Sequence, residues 1–340
     1  MNKKVRVITM LTKIETNMKV FAENFKAAKK AFVLNSSMEA SACAAAFIGE
    51  EQPVTADELK DAKHLLSKNT GFLSTLGHGN ARQVVSAVLA KDPDPDLAMK
   101  RIAQIHKALD KKFFNSDYLV LAATIIYQNS KPEEYDQVVA RTRQIYKRLR
   151  ADHPMLTGRE DLANCALMAL SGYDPGKITE TCEQDFQYMK KSYVLKNKVQ
   201  YLSCITSLFD GAPDEKAAAV DETRKLLKEY GVRFDTNAYS IVGALAMIVD
   251  KPDRSLVCGH IAEVSSKLKS IRGMGSLGAG KKIRNMIATA IVIDAYADGG
   301  DVKVKNSAIS AIISAVIAAE IAAICAAAAA SSAAAASSSS

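Results

Sequence analysis

The segment His153-Pro154-Met155-Leu156-Thr157-Gly158-Arg159-Glu160-Asp161 gathers more chemistry-bearing side chains than any other short stretch of the chain. An imidazole (His153), a guanidinium (Arg159) and two carboxylates (Glu160, Asp161) within nine residues could bind a polar ligand or carry out acid–base work. The same residues also spell a helix start. Thr157 is placed to cap it, Glu160 three residues on completes a capping box, and acids suit the positive end of the helix dipole. Capping accounts for most of the residues, so His153, Thr157, Arg159, Glu160 and Asp161 are a candidate ligand or partner segment with a structural reading beside it.

Other stretches offer less. Gly275 to Lys281 fits the GxxxxGK part of a phosphate-binding loop, but Lys282 stands where a magnesium-binding Ser or Thr is needed, and Ser265 to Arg272 before it reads as helix rather than strand. An inter-repeat turn is the better reading. Cys258-Gly259-His260 has no second ligand pair at a metal-binding spacing. No GxSxG, paired catalytic acids or dinucleotide fingerprint appears. No cofactor and no metal are expected, and the reading leans away from an enzyme.

Basic residues recur toward the ends of amphipathic segments: Lys111-Lys112, Lys147-Arg148-Arg150, Lys190-Lys191, Arg224-Lys225-Lys228 and Lys267-Lys269-Arg272. Lys and Arg belong at helix C-termini for dipole reasons. In a stack of repeats such positions also line up, giving a basic rim that suits an acidic protein or a phosphate backbone.

What must position these residues is a repeat. Six of the eight prolines, Pro53, Pro93, Pro132, Pro175, Pro213 and Pro252, recur at intervals of 40, 39, 43, 38 and 39 residues. Each separates a short apolar helical segment from a longer amphipathic one, the pattern of stacked helical hairpins. Proline cannot continue the first helix but sits well in the first turn of the second, where nearby acids such as Asp94, Asp174 and Asp214 can cap it. The chain therefore reads as all-α, an α-solenoid-like stack of about six hairpins in one domain over residues 1–305. An N-terminal capping helix covers 1–36, repeats cover 38–272, and a last helix covers 281–298. Before the repeats, Leu11, Ile14, Met18, Phe21, Phe25, Ala28 and Phe32 form one apolar stripe.

Residues 306–340 form an Ala/Ser-rich tail, helical to about Ala328 by the phase of its isoleucines and low-complexity after it. Between Ser307 and Ala330 the one charge is Glu320, a span long enough for a bilayer. Ala and Ser contribute little to insertion, and a central Glu opposes it by about 2–3 kcal/mol. Capping the last repeat, or self-association with another tail, is the preferred reading over a membrane anchor.

The net charge of +8, from 45 basic and 37 acidic residues, permits an acidic partner but is spread along the chain. The start shows a basic flank with no apolar run after it, so no signal peptide is read. Six scattered cysteines without CxxC suit a reducing cytoplasm.

Tyr146, Arg150 and His153, the run Leu156-Thr157-Gly158-Arg159-Glu160-Asp161-Leu162-Ala163, the run Gln200-Tyr201-Leu202-Ser203 and the Ile/Ala/Ser tail together resemble domain-of-unknown-function family 4003. This bacterial family, mostly from Firmicutes, is matched over essentially the whole length. The resemblance implies a bacterial origin and no assigned activity. Arg159 stands where that family commonly has a second acid, which argues against a carboxylate cluster. The expected function is a non-enzymatic helical-repeat interaction or scaffold protein with an unknown protein partner. The alternatives are a small-ligand binder or enzyme using 153–161, and nucleic-acid binding through the basic rim.

Overall fold

The computed structural model describes residues 3–32, 36–70, 81–110, 113, 116–192, 195–234 and 238–298. Lys111, Lys112 and the 306–340 tail lie outside the described residues. The described chain is helical, with turns between the helices. Seven pairs follow one another: α1 (Lys3–Ala31) with α2 (Ser37–Ala45), α3 (Ala56–Asn69) with α4 (Arg82–Lys91), α5 (Pro95–Asp110) with α6 (Asp117–Asn129), α7 (Tyr135–Asp152) with α8 (Leu162–Leu170), α9 (Pro175–Met189) with α10 (Lys196–Thr206), α11 (Pro213–Glu229) with α12 (Tyr239–Ile248), and α13 (Arg254–Leu268) with α14 (Gly280–Asp298).

Sequence pattern decides which member of a pair is inside. The even-numbered helices are apolar nearly all round. In α8, for instance, every residue from Leu162 to Ala169 is buried, as expected for a helix with neighbours on all sides. The odd-numbered helices bury one stripe. Ala98, Met99, Ile102, Ile105 and Leu109 face inward from α5 while Lys100 and Lys107 do not. Each fully buried Ile or Leu there contributes roughly 2 kcal/mol of hydrophobic stabilisation.

Local chemistry starts the helices. Ser36 and Thr55 make reciprocal capping boxes with Glu39 and Glu58. Asp174 accepts from the Gly176 and Lys177 amides at 2.8 and 3.1 Å, with Pro175 in the first turn, so three of the groups a helix N-terminus leaves open are accounted for.

The inner helices run parallel. The Ala81 amide, at the start of α4, donates to Asp117 at the start of α6, and Gln83 donates to Glu39 near the start of α2. The proline turns meet in sequence at the other end: Lys91 pairs with Glu50 at 2.6 Å, Tyr127 donates to Asp92 at 2.5 Å, and the Tyr173 hydroxyl lies 3.4 Å from Asp210. Short proline turns thus define one end of the molecule and the longer odd-to-even connections the other.

One expectation is refined by long-range contact. The six proline-punctuated hairpins are present, but α1 and α14 do not cap opposite ends of a row. They pack on each other, with Asn17 Nδ2 donating to Asp294 Oδ2 at 2.8 Å across 277 residues. Gly49, at φ +95°, lies so close to Asp294 that a Cβ there would sit 2.8 Å from Oδ1. Ser41 of α2 also lies 3.4 Å from the sulfur of Met274, in the connection leading to α14. Prolines mark only the even-to-odd turns and count six, whereas pairing across the longer connections gives seven pairs whose first and last members touch. The row closes on itself.

Candidate functional site

The segment 153–161 forms one of the longer connections, between α7 and α8. The main chain leaves α7 at His153, whose amide donates to the Leu149 carbonyl at 2.8 Å. The His153 ring then turns sideways toward the next pair, with Nε2 2.5 Å from Glu183 Oε2 and its centroid 4.5 Å from that of Phe186, both on α9.

Thr157 does something other than cap. It is 3% exposed; its hydroxyl donates to the Leu149 carbonyl at 3.0 Å and accepts from Gln200 Nε2 at 2.8 Å. The expected Thr157–Glu160 box is therefore absent, and a single bond a residue later takes its place, the Gly158 amide donating to Asp161 Oδ2 at 2.7 Å. The reason is tertiary: Thr157 is drawn inward by Gln200 of α10, 43 residues away. Glu160, released from capping, hydrogen-bonds the Tyr201 hydroxyl. Arg159 is exposed.

Electrostatics follows from this burial. Asp161 is 0% exposed, and loss of water pushes its carboxyl up to about 7 against the opposing pull of the Gly158 amide. Burial first, and then the adjacent Asp161 and Glu160 carboxylates, also raise the Tyr201 phenol. The five residues do not converge on a shared ligand space. His153 faces α9, Thr157 and Asp161 face α10, Glu160 covers Tyr201, and Arg159 faces solvent. What the structure does join is the 156–163 run and the 200–203 run, through Thr157, Asp161 and Gln200.

The described rim residues emerge near the same end of the molecule. Arg148 is exposed, and its guanidinium extends toward Gly176 of α9, 3.4 Å from where a Cβ there would sit. Lys147, Lys191, Arg224, Lys225, Lys267 and Lys269 are exposed, and Lys190 is half-buried. Some have local partners. Lys190 and Lys191 lie over Phe186 and Tyr188, Lys267 pairs with Glu263 at 2.6 Å, and Arg224 lies 3.8 Å from Asp221. Exposed pairs of this kind are worth under about 1 kcal/mol each.

The Gly273–Gly280 turn uses its own amides. Those of Gly278, Ala279 and Gly280 donate to the Gly275 and Gly273 carbonyls, and buried Arg284 fixes the turn through the Met274 carbonyl at 2.9 Å. A Cβ on Gly278 would lie 1.8 Å from the Gly273 oxygen, so close backbone approach requires glycine there. These amides are turned inward, away from any phosphate. Cys258 is buried and its thiol is pushed up to about 12 by that burial, while His260 Nδ1 sits 3.7 Å from Glu263.

Two cavities were not foreseen. One, of about 600 Å³, opens at the proline-turn end among Glu50, Asp92, Tyr127, Tyr135 and Asp294. The other, of about 450 Å³, lies between the end of α11 and the start of α12. Its wall is built by a helix stop. Gly231 at φ +76° follows α11, its amide donating to the Lys228 carbonyl and that of Val232 to the Leu227 carbonyl at 2.8 Å. Val232 then packs down, 3% exposed. This Schellman turn projects Arg233, whose carbonyl is held by buried Asn285 of α14 at 3.1 Å. Arg224, Lys225 and Lys228 had been singled out as basic positions; Arg233, Phe234 and Tyr239 had not. Gly231 just past an amphipathic helix was the available signal for that turn.

Among the described residues no helix is long and apolar enough to cross a membrane. A family model described as "Protein of unknown function (DUF4003)" matches residues 24–322. No curated protein and no solved structure matches the chain.

Proposed function

Because the chain belongs to the DUF4003 family, whose description carries no activity, we propose a function from the chain's own surfaces: a non-enzymatic interaction protein that docks an acidic protein partner on the end bearing the longer connections. One observation carries this reading. The acid–base groups of 153–161 are spent on holding one helical pair to the next, whereas Lys191, Lys267 and Lys269 stand exposed nearby. A buried, hydrogen-bonded carboxylate such as Asp161 serves packing, and exposed cations on a fixed framework serve encounter and specificity. The five described cysteines are all free and buried, which suits the reducing cytoplasm of a bacterium as the place of action.

The test is capture from host lysate with the full chain as bait, with and without nuclease, beside a variant carrying Lys190→Glu, Lys191→Glu, Lys267→Glu and Lys269→Glu. The expected result is a nuclease-resistant protein partner that the charge-reversed chain loses. Recovery that depends on nucleic acid would transfer the role to a phosphate backbone, with the steep salt dependence that brings. A partner retained by the reversed chain would remove this face from the reading.

A further inference from the structure

The cavity between α11 and α12 is lined by Arg224, Lys225, Lys228 and Arg233 around Leu227, Val232, Phe234, Tyr239 and Val242, with no carboxylate among the described lining residues. Compensation of the α11 dipole accounts for the three cations on its last turns. It does not account for Arg233, which lies beyond the Gly231 stop and is set in place by the Asn285 bond to its carbonyl. Nor does it account for two aromatic rings beside an apolar floor. Arg224 pairs with Asp221, which is not part of the lining, and Lys225, Lys228 and Arg233 place like charges around one concavity, a repulsion that an anion among them relieves. The volume falls within the range of small-ligand sites.

We infer that this cavity binds a small organic phosphate, its phosphoryl group met by Arg233 and Lys228 and its apolar or aromatic remainder by Phe234 and Tyr239. Arginine supplies a fork that matches phosphate oxygens in pairs, and lysine adds a point charge. The inference is independent of the acidic-partner reading, whose test residues Lys190, Lys191, Lys267 and Lys269 do not line the cavity.

Isothermal titration of the full chain with phenyl phosphate, inorganic phosphate and phenol tests it. Phenyl phosphate should bind at one site, about tenfold or more tighter than inorganic phosphate, and phenol should not bind. The Lys228→Ala/Arg233→Ala chain should bind it about tenfold or more weaker, because two charge-assisted contacts are removed. Lys190→Ala/Lys191→Ala should bind as the parent does. All four cations and all substituted positions except Lys190 are exposed, so thermal melts should show both variants folded. The inference is overturned by absence of saturation up to about 1 mM or by unchanged affinity in the first variant. Equal weakening in the second variant would also overturn it, since that result means diffuse attraction to a basic surface.

Discussion

Two connections at the same end of the molecule, 153–161 and 230–234, join an outer helix to an inner one and do opposite things with their polar groups. The first turns them inward: Thr157 and Asp161 meet Gln200, and His153 meets Glu183. The second ends its helix on Gly231, satisfies the last carbonyls with its own amides, and leaves Arg233 and Phe234 lining a cavity. The stretch richer in titratable side chains is the sealed one. Density of chemical groups along the sequence thus says less about a site than whether the backbone has already satisfied itself. When it has, side chains are available to a ligand; when it has not, they are consumed.

The contrast can be broken most sharply at Gln200. Gln200→Ala removes the amide that holds Thr157 and faces buried Asp161, and it should lower unfolding stability by about 2–3 kcal/mol. Chemical denaturation of the full chain measures this, and a loss under about 0.5 kcal/mol would mean that the sealed connection contributes little.

A pH series sharpens the same point. Asp161 holds its proton up to about 7 in the folded chain and gives it up near 3.8 when unfolded. Between those values the folded state binds more protons, so stability falls as pH rises through that window and stays lower above it. Asp161→Asn should remove that fall, a difference of up to about 4 kcal/mol at pH 8 relative to pH 4. Parallel slopes for the two chains in thermal or denaturant unfolding would show that Asp161 is ionised in the fold.

On the open side the effects are smaller. Gly231→Ala places a Cβ on a residue at φ +76° with nothing within 4 Å, so only backbone strain opposes it, about 1 kcal/mol. A drop well beyond that would mean the turn is packed more tightly than its surroundings indicate. Smallest of all, Lys228→Ala/Arg233→Ala and, at the sealed connection, Arg159→Ala should each change stability by less than about 0.5 kcal/mol. A large loss in either melt would mean that these exposed side chains hold the fold together.

Much of the architecture was legible because it is local. Proline positions and the apolar segments before them depend on residues close to one another, and the structure has them as read; the capping boxes at Ser36 and Thr55 are equally local. The box expected at Thr157 gave way to a single Gly158–Asp161 bond because its competitor, Gln200, lies far along the sequence. The closing contact of α1 with α14 has no local signature at all. At the cavity, Arg224 and Lys225 were visible as charges, but their meeting with Arg233 and Tyr239 depends on a helix stop and a following inner helix that single-residue patterns do not join.

The contact between Asn17 and Asp294 has a consequence for how such a chain can change over time. An open array of repeats can gain or lose a unit at either end, because each unit touches only its neighbours. A row whose first and last members interlock has no free end to extend. Adding or deleting one pair would alter the angle at every interface at once, so the number of units is held fixed by geometry, and variation is channelled into the connections between them.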